Sequence, residues 1–242
     1  MRSYSMPSRC FCTSTACPGE LLYALSLILA LVGLVTGIAG LLRGRSSLED
    51  RRTDVRALAL ASLFAALCYI GFSFFKIDIP VGTEKTAFHL GNVFCVLAAL
   101  FLGGLWGGMA GAVGMTIADL TSGYVTSAPK TFLLKLCIGL IVGLVARRVF
   151  HLDREQRPRK RVLGTVVSTT CGMAFNVVAD PVVGYFYKTY VLGVPQDAAA
   201  TWAKIGAVTT LVNAVVAVIV ASAFYLALRP ALEHAGLLKK AA

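Results

Sequence analysis

Apolar runs separated by short charged connections constrain this chain more than any other feature. The most informative pair lies between Phe88 and Lys135, where two runs are joined by the turn Gly103-Gly104-Leu105-Trp106-Gly107-Gly108. Polar residues stand only at the far ends of these runs. His89 and Asn92 open the first, Asp119 closes the second, and Lys130 and Lys135 follow. A helical hairpin with its tight turn at one membrane face brings all of these polar ends to the opposite face. The rest of the chain agrees with a bilayer as solvent. Of 242 residues, 57% are hydrophobic and only 14% charged, and the mean hydropathy is +0.75. Soluble domains rarely have this balance, whereas polytopic membrane proteins do.

Residues 1–20 are polar with little helical pattern, which predicts a disordered tail. Leu21–Leu42 is a continuous apolar run of spanning length with no small-x-small cleavage site after it, so an uncleaved anchor helix is expected. Residues 43–55 form a basic linker. Six further apolar segments lie near Arg56–Lys76, His89–Gly103, Gly107–Ser122, Lys130–Phe150, Val162–Tyr187 and Trp202–Arg229. The expected fold is an all-α membrane bundle of six core transmembrane helices over residues 56–229, plus the extra N-terminal helix and a tail at 230–242. The second and third core segments are short for a bilayer, which predicts tilt or partial spans.

Basic residues give the orientation. Arg43–Arg56, Arg147–Arg161 and the tail from Arg229 hold fifteen Lys and Arg, against Lys76, Lys85, Lys130 and Lys188 on the alternate connections. The positive-inside rule then places the C-terminal tail in the cytoplasm and residues 1–20 outside, in a multi-pass protein of the cell membrane. The same clustering accounts for the net charge of +11 without nucleic acid, for which stacking motifs are absent. Cys68, Cys95, Cys137 and Cys171 lie singly in apolar runs and behave as small hydrophobes. Cys10, Cys12 and Cys17 match no standard zinc spacing, so neither metal nor cofactor is expected.

With this topology, Asn92, Asp119, Lys135, Asn176 and Asp180 fall in the outer half of the bundle, near Tyr124, Tyr185 and Trp202, with Asn213 closer to the middle. Polar groups in hydrocarbon are expensive and face a bundle interior or a wet cavity. Individually each has a bland role: asparagines as interhelical glue, aspartates paired with Lys135, aromatics in the interfacial belt. Structural pairs alone do not favour one leaflet, so the clustering predicts a pocket open to the outside. Charges of both signs suggest a neutral or zwitterionic ligand. Separately, Ala57, Ala61 and Ala65 form a small-xxx-small row, as do Gly103, Gly107 and Gly111, and Gly139 with Gly143; such rows allow close helix approach.

The Ala57-xxx-Ala61-xxx-Ala65 helix, the loop FKIDIPVGTEKTAFHLGN, the glycine-rich hairpin FLGGLWGGMAGAVGMTIADLTSGY and APKTFLLK before a helix ending in ARR together resemble a known family. It is the substrate-binding S component of energy-coupling factor (ECF) transporters, in the riboflavin, pyridoxine or hydroxymethylpyrimidine subgroup. The resemblance covers about Arg56–Arg229. It implies a six-helix subunit that captures a vitamin or precursor outside and works with a transmembrane coupling subunit and two ATPases. It also implies docking through Ala57, Ala61 and Ala65 and a substrate cover formed by residues 76–88. The helix at 21–42 is extra relative to that core.

The chain's own residues fit a non-enzymatic role. There is no GxxxxGK[ST] phosphate loop, and no inverted repeat of a secondary transporter is evident. Two alternatives remain at this level. One is an intramembrane serine hydrolase of rhomboid type using Ser122 and His89, although Leu120 and Thr121 depart from its glycine-x-serine-glycine pattern. The other is a membrane assembly protein with no ligand.

Overall fold

A computed structural model describes residues 52–82 and 84–235. The expected N-terminal tail, the helix at 21–42, most of the basic linker and the three cysteines of the tail lie outside the described residues. Six helices are present among those described: α1 (Arg52–Ser73), α2 (Gly91–Leu102), α3 (Gly104–Thr121), α4 (Ala128–Leu144), α5 (Pro158–Phe186) and α6 (Gln196–His234). They follow the six expected core segments closely, with α5 and α6 starting four and six residues earlier. Wide-turn extensions at Val145–Val149 and Tyr187–Val191 prolong α4 and α5. By length and composition, α5 with its extension and α6 are long and apolar enough to cross a membrane.

Helix α2 organises the bundle. Its sequence GNVFCVLAALFL is apolar on every side, and a helix of that kind has no face to offer water. Ten of its twelve residues are buried, and α1, α3, α4, α6 and part of α5 pack around it. The outer surface is apolar as well. Leu211, Val215 and Ile219 form a row at four-residue spacing along α6, all exposed. Leu58, Leu63 and Ile70 are exposed on α1, and Leu133 on α4. Contiguous exposure on this scale suits lipid and not water.

Glycine sets the tightest crossings. On α3, Gly107 and Gly111 face α2: a Cβ at Gly107 would strike the Ala99 backbone, and one at Gly111 the Cys95 sulfur. A second seam, Gly104 with Gly108, faces α4, where Gly139 and Gly143 meet it backbone to backbone. The Gly107–Gly111 and Gly139–Gly143 rows are packing rows, whereas Gly103 stands in the α2–α3 turn at φ 87°. On the Ala57–Ala61–Ala65 row, Ala57 and Ala65 are partly exposed. Ala61 is buried in the core, and the Ala65 carbonyl abuts Gly114 of α3.

The all-α expectation needs one correction. The segment FKIDIPVGTEKTAFH is not an irregular loop but an antiparallel hairpin, β1 (Lys76–Val81) and β2 (Glu84–His89), registered from Lys76 opposite His89 to Val81 opposite Glu84. Alternating Ile77, Ile79 and Val81 favour a strand. Gly82, at φ 62°, supplies the positive φ that a two-residue hairpin turn demands.

Candidate functional site

The base of the hairpin is held deep in the bundle. Asn213 of α6 accepts from the His89 amide at 3.1 Å and donates to the Ala87 carbonyl at 3.0 Å. Asn213 lies seventeen residues into α6, roughly 25 Å from its start at 1.5 Å per residue. The hairpin therefore enters the bundle and closes one end of a space between α3, α4, α5 and α6. The resulting cavity measures about 140 Å³. Its wall includes Asn92 at the start of α2, Asp119 on α3, Lys135 on α4, and Asn176 and Asp180 on α5.

Eight of the nine expected site residues line this one cavity: those five, together with Tyr124, Trp202 and Asn213. Tyr185 does not. It packs edge-on against Phe186, with ring centroids 5.0 Å apart, one turn beyond Pro181 and directly after Gly184, both of which reach the wall. Asn213 is in the wall, but it also carries the two hydrogen bonds to β2. Its demonstrated contacts make it a positioning residue. Asn213→Ala should therefore raise amide exchange at Ala87 and His89 while leaving α4 and α5 protected. Unchanged exchange in β2 would show that the asparagine does not hold it.

Two features of the wall bear on ligand chemistry. The Asp180 carboxylate is saturated, accepting from Lys130 Nζ at 2.8 Å and Thr210 Oγ1 at 2.9 Å. By contrast, His89 Nδ1, Asn92 Oδ1, Asp119 Oδ2 and Asn176 Oδ1 are buried with no hydrogen-bond partner. Buried polar atoms are nearly always satisfied, so an orphan asks for an explanation. Four of them line one cavity, where a molecule entering it, solvent or ligand, would find acceptors.

The opposite end of the bundle is polar too, which the sequence pattern did not suggest, but there most of the groups satisfy one another, Arg147 Nε being an exception without a hydrogen-bond partner. Arg229, 3% exposed, donates to the Leu152 carbonyl at 2.6 Å, Tyr225 Oη at 2.9 Å and Glu233 Oε1 at 2.6 Å. Thr169 and Ser222 pair at 3.2 Å. Arg147 reaches the Phe101 carbonyl at 3.0 Å. These contacts tie the α4–α5 connection to α2 and α6 and close that end. Burial alone did not separate the two ends; the unsatisfied groups differ, with four in the cavity wall against Arg147 Nε at the closed end.

At the cavity mouth, a clasp joins the hairpin to the α3–α4 connection. Tyr124 Oη donates to Asp78 Oδ1 at 2.8 Å, and Lys76 and Lys85 flank Asp78 at 3.4 and 3.6 Å. Lys85 also donates to the Ser122 carbonyl at 3.0 Å and lies 4.6 Å from the Tyr124 ring. At the hairpin tip, a Cβ on Gly82 would lie 3.6 Å from Trp202 Nε1. Partial burial works against the Asp78 carboxylate, but the Tyr124 hydroxyl and the two ammonium groups outweigh it and hold its pKa below the ordinary value. A depressed folded pKa means the clasp is fully made above the unfolded pKa of about 4 and lost as pH falls through the lower folded value. Exchange protection of β1, corrected for intrinsic rates, should hold down to about pH 4 and fall below it. Tyr124→Phe should move that midpoint upward; a midpoint already near neutrality would disprove the clasp.

A family model described as "ECF-type riboflavin transporter, S component" matches residues 52–230. The chain belongs to this S-component family. It is accordingly a membrane-embedded transporter subunit that binds a substrate, and not an enzyme. Among curated proteins, an uncharacterised protein of Pyrococcus woesei, described as lying in the gap 3' region, is 32% identical over 124 residues, 51% of this chain and 73% of that protein. No solved structure matches. The serine-hydrolase alternative fails on the family and on geometry alike: His89 is in the cavity wall of this S component, whereas Ser122 ends α3 outside it.

Proposed function

We propose that this S component captures a flat heteroaromatic vitamin or vitamin precursor from outside the cell in the cavity beneath the hairpin. It then delivers that ligand together with a transmembrane coupling subunit and two ATPase subunits. The convergence of four unsatisfied buried polar atoms on one cavity carries this reading, within a family whose description names riboflavin. Asn92, Asn176 and Asp119 meet ring donors, while Tyr124 and Trp202 pack near the mouth. A concave recess whose convergent polar groups can fix a ring's orientation suits such a ligand. The fifteen-to-four distribution of basic residues supports an outward-facing cavity and a cytoplasmic C-terminus. Docking to the coupling subunit is proposed along α1, where Ala57 and Ala65 remain partly exposed.

The test is a binding measurement on the purified chain in detergent, with riboflavin and pyridoxine as first probes and mass spectrometry of co-purifying small molecules. A specific ligand should raise the thermal midpoint in proportion to ln(1 + [L]/Kd). Asn176→Leu should weaken binding at least tenfold, by leaving a ring donor unpaired. A protein that retains no small molecule and is stabilised by none would exclude substrate capture and favour an assembly role.

A further inference from the structure

The expectation of a neutral or zwitterionic ligand does not survive a charge inventory of the wall. Lys85, Lys130, Lys135 and Lys188 face Asp119 and Asp180, four positive groups against two negative. Adding Lys76 and Asp78 of the clasp leaves the surplus unchanged, and protonation of His89 would only enlarge it. The cavity carries an excess of two positive charges.

The surplus is not spread evenly. Lys130 is bound to Asp180, and Lys85 is engaged by Asp78 and the Ser122 carbonyl. Lys188 lies over the Trp202 ring at 4.4 Å, near the mouth. Lys135 differs from these. Its residue is 7% exposed, and its ammonium makes no hydrogen bond or ion pair among the described residues. Asp180, a carboxylate whose field it feels, already accepts from Lys130 and Thr210. Asp119, the other, keeps Oδ2 without a hydrogen-bond partner, so the two groups stand apart across the same space. An unpaired ammonium at this depth is costly, and an anion placed against it removes that cost.

Building on the capture role above, we propose that the ligand is an anionic heterocycle. Its N–H and hydroxyl donors satisfy Asn92, Asn176 and Asp119, and a single carboxylate or phosphate substituent pairs with Lys135. The ring alone does not account for the wall, because a neutral molecule can satisfy every orphan acceptor and accept from Lys135 but leaves the lysine's charge uncompensated. Charge-assisted hydrogen bonds of this kind are short and roughly twice as strong as neutral ones.

The experiment compares, on the full wild-type chain, ligands that share a ring and differ in charge. One set is riboflavin, riboflavin 5′-phosphate and carboxymethylflavin; the other is pyridoxine, pyridoxine 5′-phosphate and 4-pyridoxate. In the ring system that binds, an anionic member should bind at least tenfold tighter than the neutral one. Which anion wins distinguishes phosphate from carboxylate. Lys135→Met should bring that ratio to about one, while Lys135→Arg keeps most of it. Neutral and anionic members binding equally would overturn the proposal and leave capture intact; it would mean that Lys135 pairs with Asp119 instead. Failure of both ring systems, neutral members included, would overturn the capture reading itself. The wild-type comparison needs no variant to fold, so it decides the matter even if Lys135→Met is unstable.

Discussion

Replacing Gly139 by leucine should leave little folded protein. Helices α3 and α4 meet through Gly104, Gly108, Gly139 and Gly143 with no side chain between them. A Cβ at Gly139 would collide with the Gly108 Cα, and one at Gly143 with the Gly104 backbone nitrogen. From the other side, a Cβ at Gly108 would lie 2.9 Å from the Leu136 carbonyl oxygen, and one at Gly104 3.1 Å from the Leu140 Cα. The obstacles are backbone, so no rotamer change relieves them. Overpacking usually costs about 1–3 kcal/mol, and more where the backbone must move; here α4 has to separate from α3 and carry Lys130, Thr131 and Lys135 out of the cavity wall. We expect a loss of at least about 3 kcal/mol, read as collapse of the monodisperse fraction and of the thermal midpoint in detergent. Gly206→Ala is the control. A Cβ there meets nothing within 4 Å, and alanine is favoured over glycine in a helix by up to about 1 kcal/mol, so stability should hold or rise. A wild-type midpoint for Gly139→Leu would refute the seam.

The second large effect belongs to Asp180. Its two oxygens join Lys130 of α4 and Thr210 of α6 to α5 at 2.8 and 2.9 Å, and the Lys130 and Asp180 side chains are 13% and 25% exposed. Removing the carboxylate in Asp180→Ala leaves two lysines of α4 facing the cavity without their strongest counter-charge. Breaking a buried pair from one side typically costs about 3–5 kcal/mol; the adjoining cavity can admit water, so the lower figure applies. Lys130→Met in the Asp180→Ala background should recover much of that loss, because the stranded charge goes with it. Equal instability of the single and double variants would show that Asp180 acts through Thr210 or the helix backbone instead. The order of midpoints across the four proteins is the measurement.

Several features of the site were legible before any coordinates. Asn92, Asp119, Lys135, Asn176 and Asp180 sit at the ends of apolar runs on one side of the bundle, and charge in hydrocarbon is too expensive to be placed without a partner or a cavity. Asn213 was found by the same signal but given the wrong emphasis, since a polar residue in an apolar helix looks the same whether it meets a ligand or a strand. Thr210 and Lys130 escaped as partners of Asp180, because pairing across three helices leaves no mark at any fixed sequence spacing. Tyr185 was misplaced for a related reason: neighbouring residues on a helix point about 100° apart, so Tyr185 leaves the wall that Gly184 reaches. The hairpin was missed although Ile77, Ile79 and Val81 alternate and Gly82 follows, because six-residue strands among long apolar helices are a weak signal.

The sequence by itself determined that this chain is a helical membrane bundle, where its core helices run, and which polar side chains interrupt its apolar runs. Those properties follow from transfer energies and from repeat spacing, which each segment carries locally. Only the tertiary structure decided which of the buried polar groups are satisfied and which are not. Arg229 is as deeply buried as Asn92, yet it is fully engaged by Leu152, Tyr225 and Glu233 while Asn92 Oδ1 has no partner. Satisfaction depends on distances between helices far apart in the chain, which no local pattern of residues records.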